Sequence, residues 1–295
     1  MSDNLPCFLL AASAGMFYGL SAVLCKRGLE LGAGTVRSMV YSNVVMSSFF
    51  LPYPLLSNET IHLSEVSTGA GLGFIFFLGQ FFCFLALKKG DASLITPIMG
   101  AKPVFVALFL ILHGLSQNEI NQETWAATGL SALAIGLLCW PPKRTSISIL
   151  GLILGLLTAA SFGLLDSLVP YFTFQSDPLN VLFFIFGSVG LYSLALIPWA
   201  EGDFRSYRPQ GDPWMWSSAV FMGIQAILMS LAIGLYQLPT EANVFYACRG
   251  MWAVLLVAWI GRKIGLKEGK SPKSLIVRRA IGSAILLFGV WMIAN

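Results

Sequence analysis

Apolar residues along this 295-residue chain recur neither at alternate positions nor on one helical stripe. They run in blocks of about twenty, separated by short polar stretches. A block of that length is what an α-helix needs to cross a hydrocarbon core of about 30 Å at 1.5 Å per residue. Ten such blocks fall near 7–27, 36–56, 67–88, 92–114, 124–141, 147–170, 180–199, 214–236, 240–263 and 276–294. Gly and Pro recur inside them, which a bundle tolerates where neighbouring helices satisfy the freed backbone groups. The first block has the length of a secretory leader, but its flank is acidic and Cys25-Lys26-Arg27 follows it instead of a small-residue cleavage site, so it reads as the first helix. The pattern predicts an all-α membrane protein with ten transmembrane helices.

Composition agrees: 56% of the residues are hydrophobic and 11% charged, against about 25% charged in a soluble domain. Cys7, Cys25, Cys83, Cys139 and Cys248 lie in or at the ends of apolar blocks without paired spacing, and read as small core residues. His62 and His113 have no carboxylate or thiol at ligand spacing, so neither a metal nor another cofactor is expected. There is no ATP-binding loop and no soluble domain.

The charges set an orientation. Of eighteen Lys and Arg, sixteen fall in the odd-numbered connections. Lys26, Arg27 and Arg37 follow the first block, Lys88 and Lys89 the third, Lys143 and Arg144 the fifth, and Arg205 and Arg208 the seventh. Seven more, from Arg262 to Arg279, follow the ninth. The positive-inside rule then puts both termini outside the cell membrane. Short juxtamembrane basic loops are explained by topology and anionic lipid, not by nucleic acid.

Two cations remain, Lys102 and Arg249, each inside an apolar block. Overlaying "GDASLITPIMGAKPVFVALFLILHG" on "QLPTEANVFYACRGMWAVLLVAWIG" at an offset of 147 residues puts Lys102 on Arg249, Pro103 on Gly250 and Gly114 on Gly261; "FYGL" (Phe17 to Leu20) overlies "SFGLL" (Ser161 to Leu165) at an offset of 144. The chain thus divides into five-helix repeats, 1–145 and 146–295. Five is odd, so the second repeat enters the membrane with opposite polarity, and inverted repeats place a substrate site near the midplane where they meet. Lys102 and Arg249 each lie about ten residues, roughly 15 Å, from a membrane face.

A cation at that depth costs at least about 2.5 kcal/mol unless it faces a polar cavity or a partner. The one carboxylate deep in an apolar block is Asp166. Two roles follow. Asp166 can pair with Arg249 or Lys102 and staple helices. Alternatively, two basic groups facing one acid leave positive charge for a carboxylate or phosphate of a substrate. Lys102 titrating in proton coupling is a further reading. Pro103 frees a carbonyl near Met99, and Gly100 and Gly250 thin the helices beside the cations. Asn43, Gln80, Gln225, Asn243, Tyr18 and Tyr246 are polar groups at related depths: individually they suit interhelical hydrogen bonds, and together they would line one pocket.

These residues resemble the drug/metabolite transporter superfamily, EamA type. The resemblance rests on two five-helix halves, the "FYG" of the first helix, and "ALKKGDASLITPIMGAKPVFVALFLILHG" from Ala86, with Gly129 and Gly136 in the fifth helix and Gly282 and Gly289 in the tenth. "AKPVF" also resembles the sugar-phosphate translocators of that superfamily, whose ninth-helix basic residues hold phosphate, and Arg249 falls in a similar place. His113-Gly114 stands where the family usually has Glu, and many members are described with cytoplasmic termini. The resemblance implies a secondary transporter of small metabolites working by alternating access; the chain is expected to act as a monomer and not as an enzyme. Lys102 and Arg249 would capture an anionic or zwitterionic metabolite such as an amino acid, organic acid or sugar phosphate, with Asp166 balancing charge or carrying a proton. The alternatives are an exporter of amines or cationic drug-like metabolites, with aromatic residues and Asp166 as the site, and a non-transporting structural membrane protein. An intramembrane enzyme would need a second deep aspartate or a helical His pair, and the chain has neither.

Overall fold

The computed structural model describes residues 4–57, 59–89, 101–114, 122–139, 149–261, 263–265 and 273–294. Among them every regular element is helical. In chain order these are α1 (Leu5–Glu30), α2 (Thr35–Ser48), α3 (Tyr53–Leu56), α4 (Leu63–Lys89), α5 (Lys102–Leu112), α6 (Gln122–Cys139), α7 (Ile149–Gln175), α8 (Pro178–Leu194), α9 (Asp212–Tyr236), α10 (Pro239–Tyr246), α11 (Arg249–Leu256) and α12 (Lys273–Ala294). Helix occurs in each of the ten apolar blocks. Five stretches, Leu5–Glu30, Thr35–Leu56, Leu63–Cys83, Ile149–Gln175 and Asp212–Tyr236, are long and apolar enough to cross a membrane, and Lys102–Leu112 and Pro178–Leu194 are shorter apolar helices.

Local chemistry sets several boundaries. Proline occupies one of the first two positions of α1, α5, α8, α9 and α10, where its missing N–H is no loss. Asp177 caps α8 by accepting from the Asn180 N–H at 2.8 Å. Gln237, at φ 56°, ends α9 in the left-handed conformation. Pro170 inside α7 removes the donor that would reach the Asp166 carbonyl one turn back. Between α10 and α11 the helix is interrupted at Ala247 and Cys248, with no proline to account for it.

Packing follows the glycines, as expected where lipid removes any hydrophobic drive between helices and close backbone approach must hold them together. α1 runs antiparallel to α9: Cys7 lies by the Ala232 carbonyl, the Ser21 and Ser218 hydroxyls are 3.0 Å apart, and Gly28 faces Gly211. α4 runs antiparallel to α7, with Gly79 against Phe162 and Ala86 in one cluster with Leu154. α4 runs parallel to α8 through Gly69 on Phe184 and Gly73 on Ser188. α2 runs parallel to α9 through Arg37 to Asp212 and Phe49 on Gly223. Gly163 of α7 admits Phe105 of α5, Gly15 of α1 admits the break between α10 and α11, and Gly289 of α12 sits on α6. The main apolar core, including Ala11, Phe50, Leu182, Phe186 and Ile233, lies at the end of the bundle away from the basic connections.

Candidate functional site

Lys102 is the first residue of α5, and its Nζ lies 2.6 Å from Asp166 Oδ2 of α7, with side chains 12% and 9% exposed. Of the two partners open to Asp166 in the sequence, Lys102 forms an ion pair with it. Asn243 of α10 donates through Nδ2 to the same Oδ2 at 2.7 Å and to the Pro239 carbonyl at 2.8 Å. Three helices therefore converge on one carboxylate oxygen. The carboxylate is held by a cation and an amide, which offsets the cost of its burial.

Arg249 is the first residue of α11. Its guanidinium lies over two rings, 5.0 Å from the centroid of Tyr18 and 4.7 Å from that of Tyr246. These two tyrosines meet edge to face at 5.9 Å. Lys102 Nζ also stands 5.7 Å from the Tyr246 ring and 5.9 Å from the Phe162 ring. Tyr246 is thus shared by both cations, and its hydroxyl is fixed by donating to Gln225 Oε1 at 2.5 Å. Cation–π attraction is strongest when the pair is desolvated, and Tyr246 is buried.

Lys102, Pro103, Ile135, Asn243, Tyr246, Ala247 and Arg249 line one crevice with space for about a single water. Two expected cations thus face a common void, and the break between α10 and α11 supplies one wall.

The remaining expected site residues, Asn43 and Gln80, bond each other: Asn43 Nδ2 donates to Gln80 Oε1 at 2.7 Å between α2 and α4. This is the interhelical role open to them individually. Gly250 is the second residue of α11, whereas Met99 and Gly100 lie outside the described residues. No group of three metal-capable side chains occurs among the described residues.

One cluster was not anticipated. Arg37, assigned from sequence to a cytoplasmic connection, is 2% exposed and forks onto Asp212, with Nη1 2.5 Å from Oδ1 and Nη2 2.9 Å from Oδ2. It also donates to the Phe204 and Ser206 carbonyls. Nearby, Glu201 accepts from the backbone N–H groups of Val36 and Arg37 at the start of α2. Burial pushes the Glu201 carboxyl up, but its own backbone N–H together with those of Val36, Arg37 and Thr35 outweighs it and holds the group below the usual carboxylate range. At the opposite end, buried Glu65 accepts from the N–H groups of His62 and Asp177.

Residues 5–140 match the EamA-like transporter family. A solved crystal structure of a protein superposes with a TM-score of 0.73 at 15% identity, over 97% of this chain and 96% of that chain, a likeness of fold. In all, 29 solved chains match. No curated protein sequence matches.

Proposed function

The chain is an EamA-type member of the drug/metabolite transporter superfamily, and on that premise we propose that it is a secondary active transporter of a small anionic or zwitterionic metabolite. The observation carrying the proposal is that Lys102 and Arg249 line the same crevice with Tyr246 between them. Each cation also opens a helix, and the partial positive charge of a helix N-terminus adds to its pull on an anion.

The ten-helix inverted repeat is supported by packing. Number the segments so that α2 with α3 is the second, α4 the third, α5 the fourth, and so on to α12 as the tenth. Shifting by five turns the antiparallel pair of first and eighth into sixth and third, and the parallel pair of second and eighth into seventh and third. The contact of first with ninth becomes sixth with fourth, while second with seventh and fifth with tenth map onto themselves. All these packed pairs occur. The side chains follow the same operation. Tyr18 and Phe162 coincide at the 144-residue offset, Lys102 and Arg249 at 147, and Lys102 lies on Phe162 as Arg249 lies on Tyr18.

In this mechanism the substrate anion replaces the Asp166 carboxylate on Lys102 and reaches Arg249. Asp166, released with Asn243 beside it, balances charge or takes a proton. Two bundles rocking about the site expose it to one face and then the other. The membrane is the cell's inner membrane, the basic connections face the cytoplasm, both termini face outward, and the monomer suffices. The amine-exporter reading is weaker because the faces of Tyr18, Tyr246 and Phe162 already hold the protein's own cations. Reconstituted in liposomes, the protein should take up a labelled carboxylate or phosphate ester, with unlabelled anions competing and amines not. Competition by amines alone would reverse the assignment.

A further inference from the structure

The helices fall into two groups that mix the sequence halves. α1, α2, α9, α10 and α11 are knit together by Ser21 to Ser218, Arg37 to Asp212, and Arg249 on Tyr18. α4, α5, α7 and α8 are knit by Gly79 on Phe162, Gly73 on Ser188, and Lys102 to Asp166. α2 of the first group crosses α8 of the second in close contact. Ser47 Oγ donates to the Phe186 carbonyl at 2.6 Å, the Phe50 and Phe186 rings stack at 4.1 Å, and a Cβ at Gly190 would stand 3.0 Å from the Ser47 Cβ. Rings continue inward from this crossing. Phe186 meets Phe76 at 5.6 Å, Phe76 meets Phe162 at 5.3 Å, and Phe162 faces Lys102. Phe50 is fully buried, and the apolar core around it joins both groups on the side away from the basic connections.

We propose that the α2–α8 crossing at Ser47, Phe50, Phe186 and Gly190 is the gate between the two moving bodies, closed here, that seals the face opposite the basic connections. The inference rests on the alternating-access reading but not on the charge of the substrate. Tight packing is bistable, not continuously deformable, so opening this face requires the crossing to part as a unit. Gly190 permits the closed contact, since any side chain there presses on Ser47.

The test is a reversible cross-link in a background with all five native cysteines replaced by alanine. S47C/G190C places two thiols close enough to bridge with a small helix adjustment. A226C, in the sealed core, reports opening through a membrane-impermeant maleimide applied to the face opposite the basic connections. Under reducing conditions the reporter is labelled; oxidation abolishes both labelling and uptake, and a reductant restores both. S21C/S218C, bridged within one group, leaves labelling and uptake unchanged. Gly190→Ala without a cross-link raises the labelling rate by wedging the crossing. The proposal is overturned if the oxidised S47C/G190C protein is still labelled, if the reduced protein is never labelled, or if the S21C/S218C bridge abolishes labelling. Labelling needs no substrate, so a wrong substrate class would blank uptake while leaving the labelling pattern intact.

Discussion

Asp166 Oδ2 and Lys102 Nζ are 2.6 Å apart, and Asn243 donates to the same oxygen. Under the proposed charge capture, the carboxylate occupies the position on Lys102 that the substrate anion takes, and acts as an internal competitor. Asp166→Asn should remove that competitor and the proton-accepting group together. We expect the variant to bind anions at least as tightly as wild type but to lose accumulation driven by a pH gradient, measured as uptake into liposomes with and without an imposed gradient. Gradient-driven uptake equal to wild type would take Asp166 out of the coupling step.

On the same proposal, Lys102→Gln and Arg249→Gln each delete one charged contact to the anion. A hydrogen bond to a charged group contributes about 1.5–3 kcal/mol, so affinity should fall roughly tenfold to a hundredfold in each. Lys102→Gln also leaves Asp166 without its cation, and should lose thermal stability that Lys102→Gln/Asp166→Asn recovers. Transport unchanged in both single variants would rule out charge capture.

These groups were legible in the sequence for a simple reason: a cation or carboxylate inside a block of apolar residues is improbable unless something faces it. Lys102, Arg249 and Asp166 each broke the pattern. Tyr18 and Phe162 gain meaning only through the repeat, because an aromatic residue in a membrane helix carries no signal on its own. Asn43 and Gln80 read in the sequence as pocket lining or as interhelical staples, and only the geometry of α2 and α4 shows them bonded to each other. The fork of Arg37 on Asp212 was not legible. Arg37 already had an explanation in its connecting loop, Asp212 beside Pro213 reads as an ordinary helix start, and the two are 175 residues apart.

That fork gives a stability prediction separate from transport. Breaking a buried ion pair by removing one partner leaves an uncompensated charge, so Arg37→Leu should destabilise the protein by about 3–5 kcal/mol, and Arg37→Leu/Asp212→Leu should recover much of the loss. Thermal unfolding in detergent followed by tryptophan fluorescence reads both. An Arg37→Leu variant as stable as wild type would show that the Glu201 contacts to the Val36 and Arg37 backbone N–H groups hold this end without the ion pair.

Glu201 supplies a pH dependence of known sign. Its folded pKa is depressed below the ordinary value of 4.5. Its contribution is therefore fully present above that value and is lost as pH falls from there through the lower folded pKa. Wild type should unfold at a higher temperature than Glu201→Gln at neutral pH, and the difference should close on acidification below 4.5. A difference that widened with acid would reverse the sign assigned to the backbone donors around Glu201.

The proposed mechanism requires Lys102 and Arg249 to hold one anion together, and ligand-induced thermal stabilisation of the purified protein reads this directly. Anionic and zwitterionic metabolites should raise the unfolding temperature of wild type in a concentration-dependent way, and should raise that of Lys102→Gln or Arg249→Gln far less. Stabilisation by amines alone, or equal stabilisation of both variants by anions, would contradict it.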